Sequence, residues 1–130
     1  MTTILRTLIA VGVILDGALG FGFLSDPAGS ALGFGVSANG AMGLSSLRAD
    51  FTAFFLVAAG FMAAGAWKLR GDVLVAPLAL FLVALTGRAL NLMIVGPYPA
   101  WWQPMAVETL HVVVLASAIG SWSWRGSPAS

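Results

Sequence analysis

The chain has no cysteine, a single histidine and very little charge, and each scarcity removes a class of chemistry. Without cysteine there is no disulfide framework, no thiol nucleophile and no thiolate metal site. Only 8% of its 130 residues are charged, against about 25% in an ordinary soluble domain, so water is not its natural solvent. There is no basic run and no aromatic series beside a basic patch, which excludes nucleic acid as a partner. No Gly-Lys-Ser/Thr follows the glycines of residues 25–47, no serine nucleophile elbow occurs and no zinc-protease motif is present. No cofactor is implied.

What remains is apolar. Hydrophobic residues make up 59% of the chain and glycine contributes 16 positions, a composition suited to membrane helices that pack by close backbone approach. Four apolar stretches, residues 4–24, 49–67, 73–95 and 104–124, each approach the ~20 residues that a spanning helix needs. The expected fold is all-α: one domain, residues 1–130, forming an integral membrane four-helix bundle. The first stretch has a signal-like start, with Arg6 before an apolar run, but Asp16 interrupts that run and no small-x-small cleavage site follows, so it reads as a retained helix. Pro77 and Pro104 fall in first helical turns, where a missing amide donor costs little.

The basic residues orient the bundle. Arg6, Lys68, Arg70 and Arg125 all belong to one side of a four-span topology, whereas residues 25–47 and 96–103 carry no Lys or Arg. The positive-inside rule makes the basic side cytoplasmic, with both termini there, and the expected location is the inner (plasma) membrane. Trp67, Trp122 and Trp124 would mark the inner interface, and Tyr98, Trp101 and Trp102 the outer one. The glycine-rich segment 25–47 is too apolar for a solvated linker and is expected to lie as a lid over the outer mouth.

The ionisable residues inside these stretches fall at similar depths. Counted from the outer helix ends at ~1.5 Å per residue, Asp16 and Arg88 lie roughly 10–12 Å in, His111 about 10 Å and Glu108 about 6 Å. Arg48 and Asp50 open the second stretch on the same side. Glu108 and His111, three apart, share a helix face, as do Arg88 and Asn91. Gly12, Asp16 and Gly20 form a smooth stripe on the first helix, where a neighbour can approach closely. Charges in a bilayer normally face a bundle interior or a wet cavity and pair with each other, and Arg88 is expected to pair with Asp16. The proposed acid-base residues are Glu108, His111 and Asp16, and the ligand-binding candidates are Arg88, Asn91, Asp50 and Arg48. The same residues could equally be structural ion pairs, Asp16 with Arg88 and Asp50 with Arg48 or Glu108. Arg48 could snorkel to headgroups, and Asp50 could be a first-turn dipole partner. Glu108 and His111 make one Glu-x-x-His step, but without a second histidine it is not a di-iron site, and no metal is expected.

From Leu47 onward the order of features resembles a family of small bacterial four-span membrane proteins, the domain of unknown function numbered 4345. The resemblance rests on Arg48-Ala49-Asp50-Phe51 opening the second helix, Gly87-Arg88 late in the third, and Glu108 early in the fourth. It departs at Ala53-Phe54, where the family often has a glycine pair. The resemblance implies fold and topology and brings no activity. Three function classes follow. The first is a membrane protein binding, or acting by acid-base chemistry on, a small amphiphilic or lipid-like molecule in a cavity open to the outer leaflet. The second is an oligomeric proton-coupled transporter. The third is an accessory subunit whose ion pairs only hold the bundle while its glycine faces dock a larger membrane partner.

Overall fold

A computed structural model describes residues 1–122; Trp124 and Arg125, and the end of the fourth expected span, lie outside the described residues. Within them the chain is helical, with no strand. The elements are α1 (Thr2–Ser25), α2 (Pro27–Leu32), α3 (Gly40–Ser46), a π-helical turn (Leu47–Phe51), α4 (Thr52–Lys68), a 3-10 turn (Asp72–Leu74), α5 (Val75–Val95) and α6 (Trp102–Ser121). Four helical stretches are long and apolar enough to cross a membrane: Thr2–Ser25, Gly40–Lys68, Asp72–Val95 and Trp102–Ser121. The second is longer than expected. Its helix begins at Gly40 and runs through the π turn into α4, for 29 residues. At ~1.5 Å per residue that is about 43 Å, well beyond the ~30 Å of a hydrocarbon core.

The helices form a ring in chain order: α1 packs on α4, α4 on α5, α5 on α6 and α6 back on α1, with α1 against α4 the most extensive interface. Therefore α1 and α5 occupy opposite corners. This follows from the sequence locally. On α1 the buried residues Leu5, Ile9, Gly12, Asp16, Gly20 and Phe23 recur at intervals of three and four, one face of a helix. Much of the remaining surface of that helix is apolar yet faces outward: Ile4 and Ile14 are 65% and 70% exposed. On α5, Val83, Met93, Ile94 and Val95 are likewise exposed. Helices with this much uncovered apolar surface are compatible with crossing a membrane.

Two apolar clusters bracket the bundle. One joins the first half of α1 to the second halves of α4 and α6, through Ile9, Met62, Leu74, Phe81, Leu115 and Trp122. Trp122, which follows the last turn of α6, is buried in this cluster at 7% exposure. Trp67, in contrast, projects outward at 81% exposure. The other cluster is aromatic and lies where α1 ends: Phe23 stacks on Phe51 at 4.6 Å between ring centroids, and Phe34 meets Phe23 edge-on at 5.3 Å. Phe34 belongs to segment 25–47, which folds into α2 and α3 and packs on α1 and the π turn. The segment caps the α1 and α4 side of the bundle. Asp26 starts α2 by accepting the Gly29 amide at 3.0 Å, an N-cap that ends α1 and turns the chain. At the opposite end, Arg70 pairs with Asp72 between α4 and α5.

Candidate functional site

Asp16, Glu108 and His111 are the buried charged or polar side chains among the described residues, at 2%, 8% and 7% exposure. They lie between the two apolar clusters, on helices that touch because the ring places α6 between α1 and α5. Each residue of the Glu-x-x-His step looks to a different neighbour. Glu108 faces α5 and accepts a hydrogen bond from Arg88 Nε at 2.7 Å. His111 faces α1, with Nε2 at 3.5 Å from Asp16 Oδ2.

The expected Arg88 to Asp16 pair is therefore replaced by Arg88 with Glu108. Adjacency of helices decides which residues pair, and α1 and α5 are diagonal. The other expected residues do not join. Asn91 is exposed on α5 and Asp50 is exposed on the π turn. Neither structural alternative for Asp50, a pair with Arg48 or with Glu108, is formed among the described residues. With the helix starting at Gly40, Asp50 is also far past any first turn. Arg48 is exposed and donates its Nε to the Leu24 carbonyl at 3.0 Å, in the last turn of α1.

The imidazole is held on three sides. Its Nδ1 lies 2.9 Å from the Val107 carbonyl. A carbonyl only accepts, so Nδ1 carries a proton. Phe81 stacks on the ring at 4.2 Å and 27°. On the third side is Gly12: a Cβ there would stand 2.9 Å from Nε2, so only glycine lets the imidazole sit this close to α1. Gly20 does the same for α4, where a Cβ would meet Leu56 at 2.6 Å. Phe81 was not singled out from the sequence, although it lies seven residues before Arg88 and so on the same face of α5.

Since Nδ1 is protonated, Nε2 of a neutral ring is an acceptor, and it faces a carboxylate oxygen, also an acceptor. The contact is attractive only with one added proton, either on the imidazole or on Asp16. With Arg88 and Glu108 cancelling, the four-residue group is neutral when that proton is present and negative when it is absent. At 3.5 Å the two atoms do not yet make a normal hydrogen bond. Asp16 Oδ2, His111 Nε2 and Glu108 Oε2 are all buried without a hydrogen-bond partner, an uncommon cluster because each such atom costs about 1–3 kcal/mol.

Two surface grooves are present elsewhere. One, of about 480 Å³, runs along α6 beside Trp101, Trp102 and Met105. The other, of about 600 Å³, lies between the end of α1 and the α3 to α4 helix, beside Arg48 and Thr52. The four clustered residues line neither, so these grooves are not the cavity expected around them. Among the described residues no three His, Cys, Asp or Glu side chains gather closely enough to share a metal ion. No family model, curated protein or solved structure matches the chain.

Proposed function

We propose that this is a multi-pass protein of the inner (plasma) membrane, with both termini cytoplasmic, that holds a small amphiphilic molecule against the Asp16 and His111 pair and handles a proton there. The observation that carries it is the facing of two buried, unpartnered acceptor atoms across 3.5 Å, with a third unpartnered atom on Glu108. A ligand hydroxyl, amine or carboxylic acid would supply the missing donor once α1 and α6 part to admit it, since neither surface groove reaches the pair. Binding such a group would complete hydrogen bonds that the free protein leaves unmade, and transfer of its proton is acid-base chemistry. Membrane placement is supported by the four long apolar helices and their exposed apolar faces, and the orientation by Arg6, Lys68 and Arg70. The resemblance to domain of unknown function 4345 proteins belongs to the proposal as well. Two of its positions, Arg88 and Glu108, bond directly to each other.

A specific observation also favours the accessory-subunit reading: Arg88 and Glu108 join α5 to α6 directly, while the far side of α5 is apolar and uncovered. The two are separated by ligand-dependent stabilisation. The full chain in a neutral detergent is heated with decanoic acid, decanol or decylamine, ten-carbon amphiphiles differing only in the head group. Binding to the folded state raises the midpoint by mass action. At least one probe should stabilise the wild type and not Asp16→Asn or His111→Phe. If wild type and both variants respond alike to all three, the site reading fails and the accessory reading leads.

A further inference from the structure

The groove at the end of α1 has features that the Asp16 and His111 site does not use. Its walls are apolar, formed by Leu24, Leu44, Ala49 and Ala53, and Arg48 is its one charged lining residue. Arg48 makes no ion pair among the described residues. Its Nε is committed to the Leu24 carbonyl, which orients the guanidinium and leaves the two terminal nitrogens to act as a fork for an anion. Thr52, also in the lining, has a buried hydroxyl oxygen without a hydrogen-bond partner. A helical threonine usually bonds the carbonyl four residues back, as Thr86 does to Leu82 at 2.7 Å. Thr52 follows directly on the π turn, where that carbonyl register is broken.

We infer that this groove is a binding site for an anionic membrane lipid, with the headgroup phosphate on Arg48 and an acyl chain along Leu24, Leu44 and Ala53. Its volume of about 600 Å³ lies within the 300–1,000 Å³ typical of small-molecule sites. Charge complementarity selects the anionic class: of the two arginines at this end of the bundle, Arg88 is neutralised by Glu108 and Arg48 is not. The apolar walls select a lipid over a soluble anion, because free phosphate would gain Arg48 and leave the walls unused. The inference rests on the membrane placement proposed above and is independent of the acid-base site.

The test is retention of phosphatidylglycerol by the full chain, released from nanodiscs and read by native mass spectrometry, with phosphatidylcholine and inorganic phosphate as comparison probes. The wild type should retain phosphatidylglycerol over phosphatidylcholine. Arg48→Gln should lose that preference by about tenfold or more, as loss of a charge-assisted bidentate contact implies. Arg48→Lys, which keeps the charge but neither the fork nor the bond to the Leu24 carbonyl, should retain a preference between that of Arg48→Gln and that of the wild type. Ala53→Trp, which fills the groove and keeps the charge, should lose retention while its helical circular dichroism is unchanged. Asp16→Asn should retain the lipid as the wild type does, so failure of the acid-base reading leaves this result untouched. Equal retention of both lipids, unchanged preference in Arg48→Gln, or full displacement by millimolar phosphate would each overturn the inference. Loss of thermal stability in Arg48→Gln with lipid preference intact would reduce Arg48 to a cap on α1.

Discussion

Removing Arg88 and Glu108 singly and together tests the packing order of the bundle, because only adjacent helices can share an ion pair. The Nε to Oε1 distance is 2.7 Å, and the side chains are 32% and 10% exposed. At an effective dielectric of about 20, two charges at this separation attract by about 6 kcal/mol before desolvation, so the net is far smaller. The two single losses should be unequal. Arg88→Leu leaves a carboxylate that is nearly buried, with Oε2 already unpartnered, and should cost about 3–5 kcal/mol. Glu108→Leu leaves a one-third exposed guanidinium that can extend along its own stem toward a polar surface, and should cost about 1–2 kcal/mol. The double variant, apolar at both places, should come within about 1 kcal/mol of the wild type, giving a coupling of roughly 3 kcal/mol or more. Reversible unfolding in mixed micelles, followed by helical circular dichroism, gives all four corners. Additive losses would refute the pair. A coupling of that size between Arg88 and Asp16 instead would refute the ring order.

Three further outcomes follow from particular contacts. Gly12→Val places a branched side chain where a Cβ alone stands 2.9 Å from His111 Nε2; the imidazole should leave Asp16, lowering the midpoint despite the better helix propensity of valine over glycine. An unchanged His111 ring signal in that variant would contradict the geometry. Phe34→Ala removes a ring that contacts Phe23, Phe51 and Phe55 and should cost about 2–3 kcal/mol, with faster proteolysis in residues 33–39; unchanged cleavage would show the segment already detached. Single cysteines at Gly71 and Ala100, in a chain that otherwise has none, should be labelled by an impermeant thiol reagent only at Ala100, whereas labelling at Gly71 alone would invert the proposed orientation.

Much of this architecture was legible in the sequence, and the misses share a cause. Hydropathy and length located four helices, and spacing located the α1 stripe of Gly12, Asp16 and Gly20, because both are properties of one helix at a time. Of the residues gathered by the depth comparison, Arg88 meets Glu108 and Asp16 meets His111, whereas Arg48 and Asp50 stay apart from them. The partner of Arg88 was missed because it depends on the order of helices around the ring, which no single helix encodes. Residues 40–47 read as the end of the glycine-rich segment 25–47, with Gly40 and Gly43 among them, yet no proline interrupts them and the helix simply continues. Asn91 was grouped with Arg88 by its three-residue spacing, but on α5 that step carries it onto the exposed side. The burial of Trp122 was not legible from residue type, because it depends on the chain turning after Ser121.

Because His111 is the chain's only histidine, its ring nitrogens can be observed without assignment ambiguity. Nitrogen-15 spectra of the histidine-labelled full chain in lipid nanodiscs test the shared-proton site directly. The Nδ1 signal should be that of a protonated, hydrogen-bonded nitrogen throughout the neutral range, held by the Val107 carbonyl, and the Nε2 signal should shift on Asp16→Asn while Nδ1 stays in place. A ring protonated at Nε2 with a bare Nδ1, or an Nε2 signal indifferent to Asp16→Asn, would contradict it.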